Sequence, residues 1–218
     1  MKALGNIFLT WRKGKGERRK IVGTIRRGSS SSVRFNYNLE AVQEAYKEGF
    51  SPYTDFPEID KTYTDNVLEV FGQRLIKTDR SDINRFLDFW AINPKFKDDK
   101  YYMLAHTQGM LSTDNFEFLV DFHPVKDLCF ITEISGLTSR SIPSETIQVG
   151  DELRWEVEPK NSHDKNAVKV FKGDSVLGYV KIIHNRVFHK KNGNRLKIKV
   201  KQIEKNGHLN RVFIQVSF

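Results

Sequence analysis

The spacing of apolar residues changes along the chain, and each spacing predicts a different element. Ile7-Phe8-Leu9-Thr10-Trp11 and Lys20-Ile21-Val22-Gly23-Thr24-Ile25 are apolar runs divided by the basic, glycine-bearing RKGKGERR, a pattern that predicts a β-hairpin. RRGSSSSVRF follows and reads as a flexible loop, because the glycine spacing of a phosphate-cradling P-loop is absent. A period of 3.6 then takes over. Asn38 is placed to cap LEAVQEAYKEG, with Leu39, Val42, Ala45 and Tyr46 on one face and Gly49 as the stop. Thr64 or Asp65 is placed to cap NVLEVFGQRLI, and Ser81 to open a run in which Ile83, Phe86, Leu87 and Trp90 recur at helical spacing. A fourth helix is predicted over Asp98 to His106, ending near Gly109.

Beyond DFHPVKD the period shortens to two. CFITEIS, DELRWEVE, NAVKVF, SVLGYV, RLKIKVKQI and NRVFIQVSF read as six strands, interrupted by one short helix at about Ile182 to Lys191. Six strands in so short a span, divided by KGD, NGN and NGH turns, predict a compact barrel or strongly curved sheet. The predicted class is therefore α+β. Residues 1–122 form an N-terminal domain of a β-hairpin plus helices, and residues 123–218 a small OB-like β-barrel with one or two short helices. In RLKIKVK, Leu196, Ile198 and Val200 alternate with Arg195, Lys197, Lys199 and Lys201, which sends the apolar set to a core and the cations to the outside. A solvated strand face would look the same, as would edge lysines that block sheet-to-sheet pairing.

Charge changes the picture more than composition does. The 218 residues carry a net charge of +9, and 17 Lys and Arg against 10 Asp and Glu lie from His123 onward. Lys181 to Lys201 holds eight basic residues and no acidic one. Such a run points to a polyanionic partner, with nucleic acid ahead of an anionic membrane surface. No apolar run approaches the roughly 20 residues of a membrane span, and the N-terminus has no signal-peptide pattern, so a cytosolic protein is expected. Cys129 is the only cysteine; it excludes an intramolecular disulfide and Cys-rich zinc sites, and in LCFIT it reads as a buried, inert thiol.

The densest polar stretch is EPKNSHDKNAVKVF, Glu158 to Phe171, where Asn161, His163, Asp164 and Asn166 crowd the start of a strand. A surface turn is the simplest account, since these residues bond their own backbone. A metal site at His163 and Asp164 lacks further ligands at suitable spacing: His184 and His189 lie five apart, and no HExxH or CxxC unit is present. No nucleophile context such as GxSxG accompanies His163 and Asp164, and no carboxylate cluster has nuclease spacing. Neither an enzyme nor a cofactor is predicted.

The same stretch, with ITEISGL before it, then Gly150-Asp151-Glu152-Leu153, and Gly178-Tyr179-Val180 after it, resembles the signature of HIRAN domains over about His123 to Phe218. The resemblance implies an OB-like barrel that binds DNA, and in the helicase-like member the 3′ hydroxyl end of a single strand. There an Asp receives the terminal hydroxyl and a Tyr contacts the last nucleotide; Asp164 matches the Asp, and His163 takes the place of the Tyr. Tyr179 stands where that member has His. Its first-strand Arg-Tyr-Tyr run is replaced by Gly136-Leu137-Thr138-Ser139-Arg140. The candidate DNA-binding residues are Arg140, Asn161, His163, Asp164, Lys165, Asn166, Tyr179, Lys181, Arg186, Lys190, Lys197 and Lys199.

In the N-terminal part, the hairpin, FNYNLEAVQEAYKEGFSPYTDFP, the FGQRL helix and the closing GMLSTDNFEF are similar to the small N-terminal subdomain of HipA-type toxin kinases. The catalytic motifs of those kinases are not in the chain, so the likeness implies a module that docks on a separate protein. Two functions are expected from this reading. One is a non-catalytic DNA-binding protein for single strands, 3′ ends or damaged DNA; the other is an interaction component of a toxin-antitoxin or phage-defence system in which the barrel is structural.

Overall fold

A computed structural model describes residues 3–28 and 32–218. The serine loop falls mainly on residues 29–31 and so lies outside the described residues. The chain divides into two compact units, Leu4–Asp121 and Phe122–Phe218, the latter with Ala3. The fold is mixed: an N-terminal sheet with short helices, and a closed antiparallel barrel. Among the described residues, no helix is long and apolar enough to cross a membrane.

The first unit contains β1 (Leu4–Trp11), β2 (Lys20–Arg27), β3 (Val33–Tyr37), α1 (Leu39–Tyr46), β4 (Thr62–Tyr63), α2 (Val67–Gly72), α3 (Ile83–Phe89), α4 (Lys100–Thr107) and β5 (Phe116–Phe122). Its sheet has the order β4-β3-β2-β1-β5. The predicted hairpin is β1 and β2, paired antiparallel with Ile7 opposite Ile25. The periodicity missed β3, which follows the serine run, β4, which is two residues long, and β5.

Asn38 caps α1 as expected, its side chain accepting from the Ala41 amide. At α2 the cap position is Asn66 rather than Thr64 or Asp65. It sits in the left-handed region at φ 53° and makes no side-chain cap bond. The residue that opens α3 is Asp82, one beyond Ser81.

Aromatic rings fill this unit. Phe35 has no exposed surface and meets Tyr37, Phe56, Tyr63 and Phe71 at centroid distances of 4.7 to 6.2 Å. Each fully buried ring of this size contributes on the order of 1.5–3 kcal/mol through removal from water. The arginine of FGQRL serves the same interior. Arg74 donates to both carboxylate oxygens of Asp114, at 2.6 and 2.7 Å, and to the Gly109 carbonyl at 2.7 Å, which ties α2 to the segment after α4.

The second unit contains β6 (Cys129–Ser135), β7 (Glu152–Val157), β8 (Val168–Lys172), β9 (Ser175–Val180), β10 (Lys197–Asn206) and β11 (His208–Ser217). These are the six strands the period-two pattern predicts. They close in the order β10-β11-β6-β9-β8-β7. Phe130, Val168, Val170, Leu177, Ile198, Val200, Ile214 and Val216 are buried, so alternate positions of several strands fill the barrel. In place of one helix near Ile182 to Lys191, a 3-10 helix spans His184–His189 and a second spans Gly193–Arg195. The first lays Phe188 edge-on against Trp155, centroids 4.7 Å apart, and the Trp155 indole donates to the Leu196 carbonyl at 2.9 Å. Cys129 is half-buried rather than fully enclosed, and burial pushes its thiol pKa up.

Gly178 is required where β9 passes β6. A Cβ there would lie 2.3 Å from the Ser135 carbonyl oxygen and 2.7 Å from Ile134 Cγ2. Gly178→Ala is expected to destabilise the protein by about 1–3 kcal/mol through overpacking, read as a lowered midpoint in urea. An unchanged midpoint would show that β9 can move away from β6.

Candidate nucleic-acid interface

The loop that leads into β8 is held by its own side chains. Asn161 Oδ1 accepts from the amides of His163 and Asp164, at 2.9 and 3.1 Å, and Asp164 Oδ1 accepts from the Asn166 amide at 2.9 Å. This is the side-chain-to-backbone bonding that makes Asn and Asp turn formers. The other oxygen of Asp164 accepts from Asn185 Nδ2 at 2.6 Å, which fastens the loop to the 3-10 helix. His189 lies against the same loop, its Nε2 3.0 Å from the Asn166 carbonyl oxygen. His163 and Lys165 project from the loop and are exposed, whereas Asn161, Asp164 and Asn166 are half-buried.

Glu158 connects the loop to the barrel wall. Its carboxylate accepts from Lys169 Nζ, from Asn161 Nδ2 at 2.6 Å and from the Tyr179 hydroxyl at 3.0 Å. The Lys169 and Asn161 bonds, with a smaller part from Tyr179, hold its pKa down at about 2. Tyr179 responds in the opposite sense: burial first, and then the Glu158 carboxylate, push its phenol up. Lys169 and Tyr179 are register partners on β8 and β9, so the pair stands side by side on the outer wall. The Arg140 guanidinium, on an exposed residue after β6, lies 5.9 Å from the Tyr179 ring centroid. A flat ring and a guanidinium thus adjoin the loop, with the Lys169 ammonium paired to Glu158 beside them.

Two predicted cations are placed elsewhere. Lys181 has no exposed surface, and its ammonium faces Glu133 at 3.6 Å. It therefore cannot reach a phosphate, and the expectation that it contacts DNA is corrected by its burial. The Lys190 ammonium donates to the Phe122 carbonyl at 2.7 Å and lies 3.3 Å from His123 Nδ1, which ties the end of the 3-10 helix to the start of the unit. Arg186 is half-buried on that helix. Lys197 and Lys199 are exposed on the outer face of β10, while Ile198 and Val200 are 1% and 2% exposed. Among the described residues no His, Cys, Asp and Glu side chains group so as to hold a metal ion.

Sequence reasoning passed over three residues that organise this region: Glu158, Lys169 and Asn185. Glu158 and Lys169 lie in the quoted stretch, but their pairing across the β7–β8 connection has no local signal. Asn185 is 21 positions from the Asp164 it bonds.

Residues 128–208, which span β6 to the start of β11, match a family model described as HIRAN domain. The match leaves the N-terminal unit outside it. No curated protein matches the sequence. Among solved structures, the HIRAN domain of human HLTF is similar over 40% of this chain and 74% of its own, at 16% identity and a TM-score of 0.32. A protein from Lactobacillus plantarum is similar over 42% of this chain and 99% of its own, at 16% identity and a TM-score of 0.29.

The depressed Glu158 pKa predicts an acid limb in stability. The carboxylate's contribution is present above its ordinary pKa of 4.5 and is lost as pH falls towards about 2. The melting temperature of the parent protein should therefore fall faster below pH 4.5 than that of Glu158→Gln, in paired melts from pH 7 to pH 2. Parallel curves would mean that the Glu158 bonds do not persist in solution.

Proposed function

We propose that the protein binds DNA without catalysis, and that its barrel grips a single strand at or near a 3′ end. The observation that carries this reading is the grouping of Arg140, Tyr179 and Lys169 beside the Glu158–Asn166 loop, inside the segment that matches the HIRAN family. HIRAN domains are known from DNA-binding proteins, and the net charge of +9 favours a polyanion. The resemblance assigns a strand's terminal hydroxyl to Asp164. Each Asp164 oxygen already accepts one bond and retains a second acceptor position. His163 and Lys165, exposed on the same loop, are available to a terminal nucleotide and its phosphate. The N-terminal unit enters the reading as the part that meets a protein partner, and Leu39 and Tyr46, exposed two turns apart on α1, offer it apolar surface.

The test is fluorescence anisotropy with labelled single strands carrying either a free or a phosphorylated 3′ end. Binding should weaken steeply with added salt, since released counterions drive the phosphate contacts. Tyr179→Ala should weaken binding by roughly 5- to 100-fold, the range of about 1–3 kcal/mol for one stacked base. Tyr179→Phe keeps the ring and should retain most of the affinity. A 3′ phosphate should cost about tenfold or more, the worth of a hydrogen bond to a charged acceptor. Equal affinity for both ends would remove the end-recognition part, and the absence of any oligonucleotide binding would remove the whole reading. Cleavage of the same oligonucleotides with magnesium or manganese would overturn the non-catalytic assignment.

A further inference from the structure

Resting on that reading, we infer that the barrel has a second, separate contact track for phosphates, which runs from the loop along the connection between β9 and β10 and onto the outer face of β10. Topology separates the two surfaces. Tyr179 is on β9 and Lys197 and Lys199 are on β10, three strands apart in either direction, the largest separation a six-stranded barrel allows. At about 4.8 Å per strand spacing this is an arc of roughly 14 Å. One nucleotide cannot touch both.

The charges on β7 disfavour the path across that strand. A direct path across β7 meets the outward acids Glu152, register partner of Lys199, and Glu156, which is paired with Arg154. The connection from β9 to β10 offers no such obstacle, because Lys181–Lys201 has no acidic residue. That segment begins its exposed course where His189 abuts the loop at Asn166 and continues through exposed Lys191 and Arg195. The Trp155–Leu196 hydrogen bond then fixes its descent onto the wall, where Lys197 and Lys199 follow. The Arg195 guanidinium sits 4.5 Å over the Phe218 ring, which braces it on the surface. Neither Lys197 nor Lys199 forms an ion pair among the described residues, so both are available to phosphates. The occupant is the sugar-phosphate backbone that flanks the gripped nucleotides, read by charge and without regard to base sequence.

Strand length tests this. A trinucleotide, about 10 Å long at ~3.4 Å per stacked nucleotide, fills the loop site alone, whereas a 16-mer covers both surfaces. The double variant Lys197→Gln/Lys199→Gln should bind the trinucleotide like the parent in an NMR shift titration. It should bind the 16-mer roughly tenfold more weakly near 0.1 M salt, with the slope of log K against log salt shallower by about 1.4. Tyr179→Ala should weaken both ligands. Equal loss on trinucleotide and 16-mer, or no loss on the 16-mer, would overturn the second track while leaving the loop site standing. Failure of the parent protein to bind either ligand would overturn the underlying DNA-binding reading instead.

Discussion

The arrangement of the barrel's polar face depends on the Glu158 carboxylate. It takes a hydrogen bond from the loop, one from β8 and one from β9, so a single anion fixes three separate pieces of chain in one geometry. Without it, Lys169 and Tyr179 would remain neighbours through strand register, but the loop would lose its bond to the wall. Three donors explain why the group stays ionised well below the usual carboxylate range although it is partly open to solvent. A second pair of bonds, donated to Asp164 by the Asn166 amide and the Asn185 side chain, secures the far side of the loop. Between these two acids the exposed positions 162, 163 and 165 are carried on a braced turn rather than a slack one.

Much of the barrel was legible because strand alternation is a local signal. The run from Arg195 to Lys201 shows this: apolar Leu196, Ile198 and Val200 are buried, and Lys197 and Lys199 are exposed, as a period of two requires. The pattern also marks its own limit. Arg195 lies in a 3-10 turn before β10, and Lys201 falls in the bulge between Val200 and Gln202, so neither extends the regular face. In the N-terminal unit the hairpin was legible from two apolar runs and a glycine-bearing turn. β3 was not, because it follows directly on the serine run that reads as loop, and neither was β4, because two residues offer too few positions for a period to emerge.

The candidate site was less legible than the fold, for a physical reason. Composition identifies which side chains carry charge, but burial decides which can use it. Lys181 and Lys197 are alike in sequence terms, each a lysine in an acid-free run. One ends up enclosed against Glu133 and the other faces solvent. An enclosed lysine is costly unless a carboxylate accompanies it, so Glu133 and Lys181 are better understood as one buried unit than as two residues. The same logic applies in the N-terminal unit, where Arg74 of FGQRL and Asp114 of STDNF are spent on holding the interior together.

Closure of the barrel also limits how much strand edge this unit presents to other chains. Every strand has a neighbour on both sides, but the β6–β9 and β10–β7 seams hold only two register pairs each, so closure reduces the unpaired edge without abolishing it. The N-terminal sheet is open by contrast, yet its β4 border is only two residues long and flanked by Lys61, a short charged margin that gives little template for growth.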